Sequence, residues 1–354
     1  MKASSGSCMT GEAIITSYLF EFFMLAGLQL HRLRKQLKSS KRAAFAEGTV
    51  KNLRWQWKLF IMFCIYFSFE PLPASVECLC LYAQFLSRSF KAPTSIRNYV
   101  SGVKTMHVLL DVTYLGKDSI ELKLTLKGIS RKLPHMPRQA SPLSPNILGR
   151  LYPLFDHTKP LDCTIWALFL MGFFTMSRKS NLVATGVEFD INKQLCRGDV
   201  LVGKKGLLVR FRWSKTNQFG KRNHLVPICA IPGSVLCPVA AYRRMLRICP
   251  GQDQDPAFLT RVAGKVQPVS YGLLQAMIKR GVSRLGLDPR MFSSHSLRRA
   301  GASWAFHSGV PGELIQLHGD WTSLAYLRYL EMPLMERSKV AKQMSRGVAN
   351  LGGY

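Results

Sequence analysis

Three prolines and two serines fall within the eleven residues His135–Pro145. Proline has no backbone N–H and disfavours helical geometry in the residue before it, so neither a long helix nor a central strand can run through this stretch. The segment 133–145 reads as an exposed basic linker. It divides the chain of 354 residues into parts with different patterning. At roughly 150 residues per domain, two domains also suit the length.

Before the linker the pattern is helical. Residues 1–35 form an apolar leader, with Ala13–Leu30 its most apolar stretch and His31, Arg32, Arg34 and Lys35 following. A membrane span is disfavoured there, because Glu21 sits mid-stretch and a charge at the centre of a span costs about 2.5–3.5 kcal/mol. An extra amphipathic helix, or a leader outside the two main domains, is the expectation. Residues 36–132 read as a helical domain. Ala44–Phe67 carries apolar residues at helical spacing and stops at Pro71-Leu72-Pro73. Ser75–Leu86 and Lys117–Lys132 are further helical runs. Pro93-Thr94-Ser95 offers a start for Ile96–Leu110, where Arg97, Lys104 and His107 interleave with apolar residues, giving a packed face and a basic face.

After the linker, residues 146–354 form the second domain. The chain is apolar and helical to about Met176. Phe189–Ile228 then alternates between turn signals at Arg197-Gly198-Asp199, Gly203–Gly206 and Asn217–Gly220, which predicts a small antiparallel sheet. From Gly233 helices return. The expected fold is therefore mainly α, with a small antiparallel β-sheet in the second domain.

Charge and cysteine content limit the function. Lys and Arg number 49 against 20 Asp and Glu, a formal net charge of +29, while 47% of residues are hydrophobic. A packed protein so basic needs a polyanion or an acidic surface as partner. The nine cysteines include no Cys-x-x-Cys pair, which disfavours a structural zinc and a disulfide framework. A glycine-rich phosphate loop, a His-Glu-x-x-His helix and a nucleophile-elbow serine are all lacking.

Chemistry-bearing residues gather near the C-terminal end. His295 and Arg298 are three apart, so on a helix they share a face, next to free N–H groups at the helix start. Imidazole, guanidinium and a helix N-terminus make an anion site. Further on comes Leu317-His-Gly-Asp320-Trp321, with Tyr329 nine residues after Asp320. This array resembles the C-terminal signature of the tyrosine recombinases, the phage-integrase family, in which a His or Trp precedes the nucleophilic Tyr by nine. His295-Ser-Leu-Arg298 matches that family's His-x-x-Arg motif. Upstream, Thr175-Met-Ser-Arg178-Lys-Ser-Asn181-Leu is similar to its first arginine motif, and Ser214-Lys215-Thr216 to its hairpin lysine motif. The wording is nearest to recombinases of eukaryotic mobile elements of the DIRS-like and Crypton types.

The resemblance implies a two-domain DNA clamp, with a core-binding domain over 36–132 and a catalytic domain over 146–354. It implies catalytic Arg178, Lys215, His295, Arg298 and Tyr329, with Asp320 in the His/Trp slot, and neither metal nor cofactor. Duplex DNA is the implied partner, with self-assembly as a tetramer on paired sites, a nuclear location and no membrane. Arg178 and Arg298 would grip the scissile phosphate, since guanidinium binds phosphate oxygens in pairs. Tyr329 would attack, Lys215 would protonate the leaving 5′-oxygen, and His295 would assist proton transfer. The remaining basic residues, among them the His31–Lys58 region, Arg97, Lys104, Arg243, Arg244, Arg247, Lys279, Arg280 and Arg284, are candidate phosphate contacts.

Departures and competitors stay open at this level. An ionised Asp320 cannot donate to a phosphate. Either it points elsewhere, with His318 or Trp321 filling the slot, or cutting is weakened and the chain is a DNA-holding copy of the same fold. Asn181 stands where many relatives have Glu. Tyr326 competes with Tyr329, while Lys204, Lys205 and Lys221 compete with Lys215. A type IB topoisomerase shares the chemistry, but the short Arg178–Lys215 interval and the helical first domain favour a recombinase. Leu334–Tyr354 is a candidate self-assembly helix.

Overall fold

The computed structural model describes residues 11–135, 139–184, 188–218, 222–262, 265–330 and 334–349. Its chain divides into two compact units, Met1–Pro137 and Arg138–Tyr354.

The first unit is helical: α1 Gly11–Ala43, α2 Glu47–Phe67, α3 Val76–Ser89, α4 Pro93–Leu109 and α5 Ile120–Lys132. Serine caps start two of these helices. Ser75 accepts from Cys78 N–H and Ser119 from Leu122 N–H, satisfying amides that a helix start leaves open. Phe60, Phe63, Leu79, Tyr82, Leu86, Ile96 and Val103 form the core of this unit. Two expectations need correction. The leader does not end at residue 35, because α1 continues unbroken to Ala43. His107 is not on the basic face of α4 but fully buried; its Nε2 accepts from Ala74 N–H at 3.0 Å and its Nδ1 donates to the Val103 carbonyl at 2.8 Å. Its i−4 carbonyl partner makes an inward His affordable there. Among the described residues no helix is long and apolar enough to cross a membrane.

The second unit contains α6 Pro145–Leu151, α7 Pro160–Phe174, the single turn α8 Lys179–Leu182, β1 Val200–Val202, β2 Gly206–Phe211, β3 His224–Cys229 and α9 Pro238–Ile248. There follow β4 Leu259–Val262, β5 Lys265–Pro268, α10 Tyr271–Arg284, α11 His295–His307, α12 Gly312–His318 and α13 Leu334–Ala349. β1, β2 and β3 form an antiparallel meander, with Val209 paired to Val200 on one side and to Val226 on the other. Residues 189–199, expected within the alternating stretch, are turns and a short 3-10 helix instead. β4 and β5 make a second hairpin where only helices were expected. Its strands are four residues long and show little alternation, so periodicity could not reveal them.

Part of the expected linker belongs to this unit. Leu143 is fully buried in the core, its N–H bonds the Ser296 carbonyl at 3.2 Å, and Ser144 caps α6. One leucine among the prolines is enough to seat the segment, since burying it stabilises by about 1.5–3 kcal/mol.

Helix α7 is buried on every side from Cys163 to Phe173, which makes it the central element of the unit. α11 crosses its C-terminal end so closely that a Cβ on Gly301 would collide with the Phe173 carbonyl. Glycine is required at that contact. This crossing brings the start of α11 to the point where α7 ends.

Candidate active site

α7 stops at Thr175, whose hydroxyl turns back to the Met171 carbonyl at 2.7 Å. Met176 then takes a left-handed conformation, φ 48°, and Arg178 becomes the residue that opens α8. A bulky side chain at positive φ is strained by about 1–3 kcal/mol. The strained turn has an evident use, because the Met176 carbonyl accepts from Nη1 of Arg298.

Arg298, on α11, is only 1% exposed. Its Nη2 donates to the Gly319 carbonyl at 2.8 Å, and its guanidinium carbon lies 3.6 Å from the centre of the Trp321 ring. The buried Nε–H has no protein partner. Burial and then the Arg178 charge push Arg298 down to about 9, with Tyr329 and Asp320 acting the other way, so it remains a cation at neutral pH.

His295 opens the same helix and is exposed to solvent. Although the residue keeps open surface, the protein packed around its ring desolvates the charged form, and this, with the charges of Lys179, Arg298 and Arg178, holds its pKa below the ordinary value. Tyr329 follows a 3-10 turn over Leu324–Arg328 and is half-buried. Its ring centre lies 5.4 Å from that of Trp321, 6.4 Å from that of His295 and 5.6 Å from the Arg298 guanidinium carbon. The carbonyl of Tyr329 accepts from Ser303 of α11 at 2.8 Å, which ties the tyrosine to the helix bearing His295 and Arg298. Tyr326, by contrast, is buried with Met176, Ala302, Ile315 and Trp321 and packs as a core residue.

Asp320 does not take the place of a phosphate donor. It is buried, with a left-handed φ of 54°, and its carboxylate faces the β2–β3 connection. Oδ2 accepts from the hydroxyls of Ser214 and Thr216, Oδ1 accepts from Nη2 of Arg222 at 2.9 Å, and Nη1 of Arg178 lies 3.6 Å from Oδ2. Burial alone would raise its pKa, but the Ser214 and Thr216 hydrogen bonds, with His224 and Arg222 nearby, outweigh it and hold the carboxyl below the usual carboxylate value. Of the two alternatives for its slot, Nε2 of His318 bonds the Phe174 carbonyl at 2.8 Å, while Trp321 covers Arg298.

Arg178, Arg298, His295, Tyr329 and Asp320 therefore share one locality of the second unit. Lys215 differs, because its side chain is exposed and makes no hydrogen bond among the described residues. It is placed only through its neighbours Ser214 and Thr216. Of the competing lysines, Lys204 and Lys205 stand in the β1–β2 turn, and Lys221 lies outside the described residues. Asn181 is buried and donates to the Trp213 carbonyl at 2.6 Å, so it fastens α8 to the start of the same connection. Arg222 was missed in the sequence. It is one of many surface-type arginines, and only the tertiary contact with Asp320 singles it out. Among the outer basic residues, Arg243 bonds the Gly203 and Lys204 carbonyls and Arg97 bonds Ser130. No cluster of three or more His, Cys, Asp or Glu able to hold a metal ion occurs among the described residues.

No family model matches the chain. An integrase/recombinase XerD homolog from Selenomonas ruminantium is 27% identical to it over 280 residues, covering 77% of each chain. Among solved structures, the Tn1549 transposon integrase in complex with circular intermediate DNA superposes with a TM-score of 0.55 at 13% identity, over 87% of this chain and 98% of that one. A lambda integrase dimer bound to a core site superposes with a TM-score of 0.55 at 14% identity, over 83% and 94%. Its fold is similar to that of these two integrases, and over 77% of its length its sequence is similar to that of the integrase/recombinase XerD homolog.

Proposed function

We propose that this chain is a DNA-binding tyrosine recombinase that breaks and rejoins duplex DNA through a 3′-phosphotyrosyl intermediate. The observation that carries the reading is the gathering of two arginines, one histidine and one half-buried tyrosine about the α7–α11 crossing, with an unpartnered buried N–H on Arg298. Such a set suits an in-line displacement at phosphorus, where the protein positions the reactants and stabilises charge on the non-bridging oxygens.

In the reaction, the Tyr329 hydroxyl attacks the phosphorus and passes its proton towards His295, whose neutral form is favoured. A bond forms between phosphorus and the tyrosyl oxygen while the bond to the 5′-oxygen breaks. Arg178 and Arg298 balance the negative charge, and Lys215 delivers a proton to the 5′-oxygen. Attack by a 5′-hydroxyl reverses the sequence and seals the strand. The intermediate conserves the energy of the phosphodiester, so the cycle needs no nucleotide hydrolysis.

Further parts of the reading rest on resemblance of motif wording: origin in a mobile element, action in the nucleus, and assembly as a tetramer on paired sites. The basic excess would serve to hold the duplex backbone. One observation favours a second reading, a DNA-holding protein that no longer cuts: Asp320 lies beside Arg178 and offsets part of its charge. Nicked suicide substrates separate the two. An adduct that forms with the wild type and disappears in Tyr329→Phe is the expected result; DNA retention with no adduct would favour the second reading.

A further inference from the structure

We propose that Asp320 is a positioning residue that fixes the turn carrying Lys215. The proposal deepens the enzymatic reading above and rests on it for the role of Lys215.

The two hydroxyls that donate to Oδ2 of Asp320 belong to the residues on either side of Lys215. The Ser214 hydroxyl also accepts from Thr216 N–H at 3.2 Å, and Asn217 N–H bonds the Ser214 carbonyl at 3.0 Å, so the carboxylate holds a closed turn. The Asp320 carbonyl, at 3.3 Å, shares the same Thr216 hydroxyl proton in a weaker three-centre contact. Arg222, after the turn, meets Oδ1. One buried carboxylate thus gathers both ends of the lysine-bearing segment beside Arg178. An exposed lysine on a mobile loop has no preferred approach to a leaving oxygen, whereas one in a fixed turn does.

Other uses of the contacts account for less. Arg222 is largely exposed, and an ion pair of that kind contributes little. A His or Trp at position 320 could donate to a phosphate, but neither could accept two hydroxyl hydrogen bonds and two guanidinium contacts together. Only an acceptor with two oxygens suits Ser214, Thr216 and Arg222 at once. The left-handed backbone at this position is one that Asp and Asn tolerate better than other non-glycine residues.

The leaving group provides the test. Cleavage of an ordinary phosphodiester requires a proton at the 5′-oxygen, whereas a 5′-bridging phosphorothiolate expels a thiolate that needs none. Adduct formation is measured on both substrates with the wild-type chain, Lys215→Ala, Asp320→Asn and the double variant Ser214→Ala/Thr216→Val. The double variant keeps the carboxylate, so it covers the case in which Asp320→Asn fails to fold. Both Asp320→Asn and the double variant should lose about 100-fold or more on the oxygen substrate, the scale of general-acid catalysis. Like Lys215→Ala, they should return to within a few-fold of wild type on the sulfur substrate.

Unchanged cleavage of the oxygen substrate would overturn the proposal. Equal loss on both substrates would also overturn it, by placing the effect on Arg178 and the phosphate. Absence of any wild-type adduct on either substrate would defeat the enzymatic reading instead. Amide hydrogen exchange at Thr216 and Asn217 then decides the positioning claim by itself: faster exchange in Asp320→Asn supports it, and unchanged exchange refutes it.

Discussion

Gly301→Ala perturbs the crossing on which the site depends. In an open helix position the change should stabilise by up to about 1 kcal/mol, because alanine restricts the unfolded chain. Gly301 is not open, since its added Cβ would run into the Phe173 carbonyl, a backbone atom at the end of a buried helix, and would press on the Met176 side chain. A relaxed carbon-to-carbonyl contact needs about 3.3 Å, so α11 must move from α7 by about 1 Å. Overpacking of this kind costs roughly 1–3 kcal/mol, which outweighs the alanine gain. For a domain of this size each kcal/mol is worth about 2–4 °C in melting temperature, so a fall of several degrees is expected. The chemistry should suffer more, because Arg298 and His295 ride on α11 while Arg178 follows α7. A displacement of 1 Å costs on the order of 100-fold in rate. The assay pairs thermal unfolding with the rate of covalent adduct formation. Gly128→Ala is the control, for its added Cβ meets nothing within 4 Å in α5 and it should raise stability slightly. A Gly301→Ala chain as stable and as active as wild type would refute the claim that the close crossing builds the site.

Three further outcomes follow from the same geometry. The pKa of His295 is held below its ordinary 6.5, so below about pH 6.5 the unfolded chain takes up this proton first. Its contribution to stability is whole above that pH and is lost as the pH falls through the folded-state value. The rate of adduct formation should likewise hold at pH 7 and fall below the imidazole range, and a His295→Gln profile that keeps the same acid limb would contradict the assignment. Trp321→Ala should cost about 3–5 kcal/mol in urea unfolding, because it opens a cavity and uncovers Arg298, while Trp321→Phe should retain most of the stability; equal behaviour of the two variants would count against the stacking. With a net charge of +29, affinity for duplex DNA should drop by about 10³–10⁵ between 50 and 200 mM salt if 6–10 phosphates are contacted. Fluorescence anisotropy across a salt series measures this, and a flat response would rule out backbone neutralisation as the source of binding.

Much of the site was legible as spacing along the chain. The interval from Asp320 to Tyr329, the i to i+3 pair His295 and Arg298, and the turn signals around Lys215 are local patterns, and local geometry follows from them. The choice of Tyr329 over Tyr326 follows from the nine-residue interval, whereas the burial of Tyr326 is a tertiary fact that spacing does not give. What spacing could not convey was direction. Nothing in Gly319-Asp320-Trp321 says that the carboxylate turns to Ser214, Thr216 and Arg222, because those partners lie about a hundred residues away and the turn depends on a left-handed backbone at an aspartate. For the same reason, the sequence does not show that His107 turns inward or that Leu143 is seated: each is decided by a partner from another element, Ala74 for the histidine and Ser296 for the segment around the leucine.

The most direct measurement of the central claim is to trap the chain on a nicked suicide duplex, digest the protein, and sequence the peptide that carries the nucleotide. The account predicts a phosphotyrosyl link at Tyr329, formed at the 3′ side of the break, with a free 5′-hydroxyl released. A link at Tyr326, a link to any residue outside this cluster, or no covalent product while the DNA stays bound would contradict it.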